Sequence, residues 1–388
     1  MFEVLWLLLP VAAASGWFAA KHSLLPKVKG TAFDVSSDYF KGLNYLLNEQ
    51  PDKAIDVFIK LIDVDSDTVD THLALGALFR RRGEVNRAIR IHQNLISRPN
   101  LTLQQRSLAV LELGQDYHRA GLLDRAEDLF LELMTLGKYQ EYACRQLLDI
   151  YQQEHDWEKA ISTARKLAEV SGEKMHMVIA QYYCEQAENS RQQGQYEAAN
   201  QVLQRALQTD AHCGRASLLL GYLAMDVGHF EQAIEVFKQV EWQDTAYLPE
   251  IIEPLQHCYQ QVAQSTEFVT YLQHVLEHYG GITPMLTLAK ILTQQVGEQQ
   301  SADFIVKQLH KRPSVRGLDY LLDLALSKTA NITREHLFLL KDMTTQLLKD
   351  KPIYKCNQCG FMGKTLHWQC PSCKQWNTVK PIQGIEGE

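Results

Sequence analysis

Four cysteines near the end of the chain carry the clearest chemistry. Cys356, Cys359, Cys370 and Cys373 stand as Cys-x2-Cys-x10-Cys-x2-Cys in the stretch YKCNQCGFMGKTLHWQCPSCKQWNTV, which begins at Tyr354. Each pair fits a tight turn that offers two thiolates to one ion. Two such turns close a tetrahedral four-sulfur site suited to Zn2+ or to a single iron. Gly360 lets the first turn aim its amide N–H groups at sulfur, and Pro371 stiffens the second. Four thiolates saturate the ion and leave no position for a reacting water, so the expected role is structural or in recognition rather than in hydrolysis. A structural ion supplies ~10–16 kcal/mol of folding free energy, enough to order a module of about thirty residues with little core of its own. A redox-active disulfide is the competing use of Cys-x2-Cys, and two pairs this close favour metal.

Other strings that resemble catalytic motifs fail on context. His274-Val-Leu-Glu-His278 matches H-x-x-E-H, which sets two imidazoles one helical turn apart for a zinc protease. No third ligand is indicated nearby, and the apolar positions of that segment are committed to helix packing. Gly363-Lys364-Thr365 has the end of a phosphate loop, but the first glycine of that motif falls on Gln358. There is no nucleophile elbow, no Gly-rich dinucleotide turn and no paired-carboxylate motif, and the chain is read as a non-enzyme. Cys144, Cys184, Cys213 and Cys258 are isolated, which suits a reducing compartment rather than a disulfide framework. With 46% hydrophobic and 22% charged residues and a net charge of −7, the chain reads as folded, and nucleic acid is not an expected partner.

The elements that must position the cysteines come from an internal repeat. Ala54, Ala88, Ala126, Ala160, Ala199 and Ala233 each open an apolar stretch, at intervals of 34, 38, 34, 39 and 34 residues. Gly42, Gly76, Gly114 and Gly221 lie twelve residues before their alanines, and Gly83, Gly121, Gly194 and Gly228 lie five before. Small residues at the first two positions let paired helices approach closely. The third set falls in the turn between them, where positive φ is needed. Further copies lie around Phe268 and Ala302, and Leu318 to Leu348 reads as a last helix pair. This spacing resembles the tetratricopeptide repeat family, which implies a superhelix of helical hairpins with a partner-binding groove.

Arg80 and Arg81 fall at the end of a first helix, on the side that lines the groove in such repeats. His118 and Arg119 hold the equivalent place one repeat on. The cluster is either a basic patch for an acidic partner or a solvated charged face.

Phe2 to Ala20 contains one charged residue, Glu3, and its nineteen residues match the ~30 Å apolar core of a bilayer. Lys21, Lys27 and Lys29 follow it, which predicts a membrane anchor with the rest of the chain in the cytoplasm. A signal peptide is the competing reading, but its positive charge precedes the apolar run.

The CxxCG…CPxC pattern looks like a rubredoxin-type knuckle pair. Lys374 stands where rubredoxins have a second glycine, and the loop between pairs is shorter, so iron and zinc both remain open. The W-x-C-P-x-C run is also similar to the zinc ribbon of a bacterial DNA-repair ATPase, whose ATPase this chain lacks. Iron held by the four cysteines would make a membrane-tethered electron carrier of iron-sulfur type, the alternative function.

The order of parts (apolar anchor, repeats such as LGALFRRRGEVNRAIRIHQNLI, knuckles, then KPIQGIEG) resembles the bacterial lipopolysaccharide assembly protein B family from end to end. That resemblance implies an inner-membrane adaptor that brings the LpxC deacetylase to the membrane protease FtsH, among other inner-membrane proteins of lipopolysaccharide control. The expected fold is all-α: an anchor over 1–20, a linker over 21–34, a tetratricopeptide-repeat solenoid over 35–350 and a rubredoxin-like metal-binding module over 351–388. With so short a connection after Lys349, the module is expected to pack on the last helices and cap the array. Trp368 and Trp376 are its candidate contact or packing residues.

Overall fold

The computed structural model describes residues 37–48, 50–60, 69–328, 332–385 and 387–388, with positions 14, 15 and 17. The rest of the apolar stretch 2–20 and the linker 21–34 lie outside the described residues. Among the described residues no helix is long and apolar enough to cross a membrane.

Eighteen helices among the described residues follow one another as hairpins. One compact unit ends at Lys138 and holds α1 (Ser37–Leu47), α2 (Pro51–Lys60), α3 (Val69–Arg81), α4 (Val85–Ile96), α5 (Leu103–Arg119) and α6 (Leu123–Leu136). A second unit, Tyr139–Glu388, continues the alternation with α7 (Gln140–Glu154), α8 (Trp157–Ser171), α9 (His176–Gln192), α10 (Tyr196–Thr209), α11 (Gly214–Asp226) and α12 (Phe230–Gln243). A short 3-10 turn leads into α13 (Leu248–Gln261), followed by α14 (Ser265–His278), α15 (Ile282–Val296), α16 (Glu298–Lys311), α17 (Val315–Lys328) and α18 (Ile332–Lys349). This is a tetratricopeptide-type helical solenoid.

The repeat spacing has a direct packing cause. A Cβ placed on Gly76 would stand 2.3 Å from the His92 ring, one on Gly114 2.8 Å from Phe130, and one on Gly221 2.4 Å from Phe237. Each of those partners lies four residues after its repeat alanine, so a ring on the second helix fills the space that the glycine leaves on the first. In the fourth hairpin the sizes are exchanged, while the fifth keeps the small residue on its first helix. Leu148 and Ala187 occupy the glycine position, while Ala164 and Leu203 occupy the partner position, all buried. Volume is conserved across the pair while the individual residues vary.

The inter-helix turn is equally constrained. Gly83, Gly121, Gly194 and Gly228 adopt φ of 73–83°, and His155 and Ala263 make the same left-handed turn at φ 58° and 57° where the glycine is missing. The second unit is held by a buried cluster that includes Phe237, Ile251, Leu255, Tyr259, Phe268 and Leu272.

Candidate metal centre

After α18 the chain forms a small antiparallel sheet of β1 (Tyr354–Cys356), β2 (Met362–Gly363) and β3 (Val379–Pro381), ordered β2-β1-β3. Cys356 closes β1, so the first knuckle begins where the strand ends. Gly360 N–H donates to the Cys356 carbonyl at 3.0 Å, and Lys374 N–H donates to the Cys370 carbonyl at 2.9 Å. The two knuckles are thus built alike. Lys374 adopts φ 58° beside 79° for Gly360, so it takes the left-handed conformation that glycine would take there without strain.

All four sulfurs lie within 4.8 Å of one another. Cys356 Sγ is 3.8 Å from Cys373 Sγ, and Cys359 Sγ is 3.6 Å from Cys370 Sγ. Among the described residues this is the only group of three or more His, Cys, Asp or Glu donors close enough to share an ion. Burial opposes ionisation of Cys356, but the Thr378 hydroxyl and the N–H groups of Cys359 and Gln358 bring its thiol down to about 6. The Phe361 N–H lowers Cys359. The Gln375 N–H pulls on Cys373 in the same direction, yet burial and the adjoining thiols push it up to about 11. Thiolates gathered this closely repel one another, and a bound cation relieves that repulsion. The donor set therefore fits one metal ion held by Cys356, Cys359, Cys370 and Cys373, with either iron or zinc chemically suited.

The module does not cap the end of the array. It lies back along the first helices of successive hairpins, over a chain separation of more than two hundred residues. Gln152 on α7 accepts from Gln369 Nε2 at 2.8 Å and from Trp376 Nε1 at 3.1 Å. The Trp376 ring, only 5% exposed, meets Tyr182 of α9 edge to face at 5.8 Å and Trp157 of α8 at 6.5 Å. Arg215, at the start of α11, sits 5.4 Å over Trp368, and its Nη2 donates to Glu185 and Glu188 at 2.9 and 2.8 Å. Tyr247 donates to Asn377 at 2.8 Å and stacks tilted on Trp368 at 4.8 Å. Tyr354 donates to Glu250 of α13 at 2.7 Å. At the far end Glu388 takes the Thr283 N–H of α15 at 2.9 Å and pairs with Arg316 of α17.

The module has too little core to hold itself, and the aromatic and amide groups along this face provide the surface that buries its tryptophans. Trp368 and Trp376 are thus packing residues inside the chain. A cavity of about 680 Å³ remains where the module meets α7, α8, α9 and α11, lined by Trp157, Glu188, Arg215 and Trp368 among others.

The remaining sequence candidates separate. Arg80 pairs with Glu112 at 2.6 Å and with Asp116 at 2.7 Å, and the buried Asp116 also meets His92 at 2.5 Å. Burial opposes the charge on Arg80, but these two carboxylates raise its affinity for the proton. It is a structural ion pair of the first unit rather than free groove charge. Arg81 and Arg119 are exposed and His118 is half-buried in the same unit. His274 Nε2 contacts Glu241 at 2.8 Å, and His278 Nδ1–H donates to the His274 carbonyl at 2.9 Å. One ring nitrogen of each is thereby engaged away from a shared ion.

Gln152, Arg215, Tyr247 and Glu250 are not singled out by the sequence. One signal was available: Gln152 lies eight residues before Ala160, as Arg80 and His118 lie eight before Ala88 and Ala126. The groove position was legible; its occupant was not.

Comparison with known proteins follows the same division. Residues 354–381 match the rubredoxin metal binding domain model, and residues 71–106 and 190–246 match tetratricopeptide repeat models. These are binding and scaffold modules, and the chain is not an enzyme. Lipopolysaccharide assembly protein B of Escherichia coli (strain K12) is 40% identical over 388 residues, covering 100% of both chains. The protein of that name from Haemophilus influenzae (strain ATCC 51907 / DSM 11121 / KW20 / Rd) is 37% identical over 398 residues, again covering 100% of each. At that identity over the whole length, the chain belongs to the lipopolysaccharide assembly protein B family.

Proposed function

We propose that this protein is an inner-membrane adaptor, facing the cytoplasm, that restrains lipopolysaccharide synthesis by presenting the LpxC deacetylase to the membrane protease FtsH. The observation that carries this reading is the end-to-end relationship, 40% identity over 388 residues, with a protein named for lipopolysaccharide assembly. The architecture supports it. Phe2–Ala20 with the lysines that follow supplies a single-pass anchor, and tethering raises the effective concentration of a client beside a membrane protease. The repeats offer binding surface. The metal, iron or zinc, holds the module in shape.

Groove positions divide between the two units. From Tyr139 onward the metal module covers the first-helix face. In the unit ending at Lys138 the equivalent positions are Arg80 and His118, each followed by an exposed arginine, Arg81 and Arg119, and we assign Arg81, His118 and Arg119 to an acidic segment of the client. Arg80 is left out because reversing it would strand the buried Asp116.

The test is capture by the full chain purified from membranes, with immunoblots for both expected partners. The Arg81→Glu/Arg119→Glu variant is expected to retain about fivefold less deacetylase at unchanged protease retention. Removing residues 2–20 is expected to lose the protease. Equal deacetylase capture by the double variant overturns the groove assignment. Failure of the unaltered chain to retain either protein overturns the adaptor reading itself.

A further inference from the structure

Cys184 and Cys213 are isolated along the chain, yet the fold brings their sulfurs to 3.8 Å inside the second unit. Cys184 lies in the middle of α9, held by helix on both sides. Cys213 lies just outside α11, as the residue that precedes its first turn. The two residues are 0% and 2% exposed. Their surroundings treat them differently. Gln181, one turn before Cys184 on α9, donates from Nε2 to Cys213 Sγ at 3.6 Å, and its Oε1 is fixed by Arg215 Nη1 at 3.4 Å. The guanidinium thus sets the amide so that Cys213 is the acceptor, and the Cys184 S–H donates to the same sulfur. The Cys184 thiol, the Ala216 N–H and the Arg215 charge hold the Cys213 thiol below its ordinary value against burial. Burial pushes the Cys184 thiol well up, as it does those of Cys144 and Cys258. One sulfur is set up as a nucleophile, and its neighbour is kept as the thiol that bears the proton.

We propose that Cys184 and Cys213 are an oxidation site, at which hydrogen peroxide converts the pair into a disulfide between α9 and the start of α11. Cys213 Sγ, as the thiolate, attacks one peroxide oxygen. The O–O bond breaks, the far oxygen leaves as hydroxide, and the sulfur becomes a sulfenic acid. Cys184 Sγ then attacks that sulfur, the S–O bond breaks, and the departing hydroxide takes the Cys184 proton to leave as water. The two sulfurs together lose two electrons, and the peroxide is reduced to hydroxide and water. Bond formation closes the 3.8 Å gap to an S–S length of about 2.05 Å. A residue before a helix makes that shift more readily than one inside it, so Cys213 moves and Cys184 stays. Burial selects the oxidant, because a molecule little larger than water reaches sulfurs that a bulky disulfide such as oxidised glutathione does not. In a reducing compartment the pair rests as thiols until peroxide arrives. This inference does not depend on the adaptor reading.

The test exposes the full chain, purified with its metal and fully reduced, to hydrogen peroxide. Catalase stops the reaction, the protein is unfolded in N-ethylmaleimide, and the unreduced peptides are read by mass spectrometry. The expected product joins Cys184 to Cys213 and forms about tenfold faster than any oxidation of Cys144 or Cys258. Dithiothreitol in denaturant is expected to return both cysteines to maleimide labelling. In Cys184→Ser the sulfenic acid has no partner thiol, so dimedone is expected to label Cys213. In Cys213→Ser, dimedone is expected to leave Cys184 unlabelled. Circular dichroism verifies that the two variants are folded, and the unaltered chain tests the cross-link by itself. Full maleimide labelling of Cys184 and Cys213 while peroxide oxidises the four knuckle cysteines assigns the pair to core packing and overturns the proposal. Dimedone on Cys184 but not on Cys213 overturns the assignment of the attacking sulfur.

Discussion

Gln152 Oε1 accepts hydrogen bonds from two donors of the metal module, Gln369 Nε2 at 2.8 Å and Trp376 Nε1 at 3.1 Å. One amide on the fourth hairpin thus holds a module encoded more than two hundred residues later. Around this pair the tryptophan loses nearly all its contact with water, and the indole N–H has no other acceptor among its described contacts.

Replacing Gln152 by Ala leaves both donors without that acceptor. Each unsatisfied donor costs about 1–3 kcal/mol when buried. The indole N–H then lacks an acceptor, while Gln369 Nε2 keeps the Lys374 carbonyl at 3.1 Å. Docking of the module is therefore expected to weaken by about 1–3 kcal/mol, and Gln152→Glu keeps much of it because a carboxylate still accepts. Hydrogen exchange of the amides in residues 354–381 reads this directly: faster exchange there, with α7 to α17 unchanged, is the predicted pattern.

Loss of the metal, or Cys356→Ala, is expected to free the module from the helices without melting them. The helices keep their own buried cluster, whereas the module depends on the sulfur site for its shape. Trp376, 5% exposed against Trp157 and Tyr182, then becomes wet, so tryptophan emission shifts to longer wavelength while helical circular dichroism holds. Unchanged emission in protein shown by elemental analysis to be metal-free contradicts this.

Lys374 at φ 58° and Ala263 at φ 57°, like His155, sit in left-handed turns at positions where their counterparts use glycine. Glycine at either site relieves the clash of Cβ with the following carbonyl, offset in part by the greater freedom of the unfolded chain. Each substitution is expected to stabilise by about 0.5–1 kcal/mol, and Ala263→Val to destabilise. Thermal unfolding of the single variants measures both signs.

A pH dependence follows from Glu250. Burial raises its carboxyl above the ordinary value of 4.5, although the Tyr354 hydroxyl works in the opposite direction. A raised value means that the folded state holds this proton more tightly than the unfolded chain does. The stability it contributes is therefore present at low pH and is lost as pH rises through the folded value, where a buried charge must form. Glu250→Gln keeps an acceptor for Tyr354 and removes that charge. Its melting temperature is expected to exceed that of the unaltered protein at pH 8, with the gain shrinking as pH falls toward 4.5. A gain that grows with acidification would reverse the sign and refute the argument.

Much of the fold was legible before any coordinates. Gly76 facing His92 and Gly114 facing Phe130 are consequences of a helix pair whose spacing is written locally, so a period near 34 residues is enough to find it. Arg80 shows where such reading stops. Its helix position marks it as groove charge, yet Glu112 and Asp116 of the following hairpin neutralise it. Nothing in the arginine's own neighbourhood reports carboxylates thirty-two and thirty-six residues away.

The same boundary runs through the metal module. By sequence alone, four cysteines at knuckle spacing determine the ligand set, because the ligands of each pair are neighbours along the chain and the chemistry of thiolates selects the ion class. Where the module rests was decided only in three dimensions. A short connection after Lys349 suggests an end cap, since it limits how far the chain can travel before the first cysteine. It does not limit which face the module meets once there. That choice came from Gln152, Tyr182, Arg215 and Tyr247, which lie on separate hairpins and form one surface only after the hairpins stack. Sequence reports what is near along the backbone. Tertiary packing decides which distant side chains satisfy a buried indole, and that turned the expected end-piece into an occupant of the first-helix face.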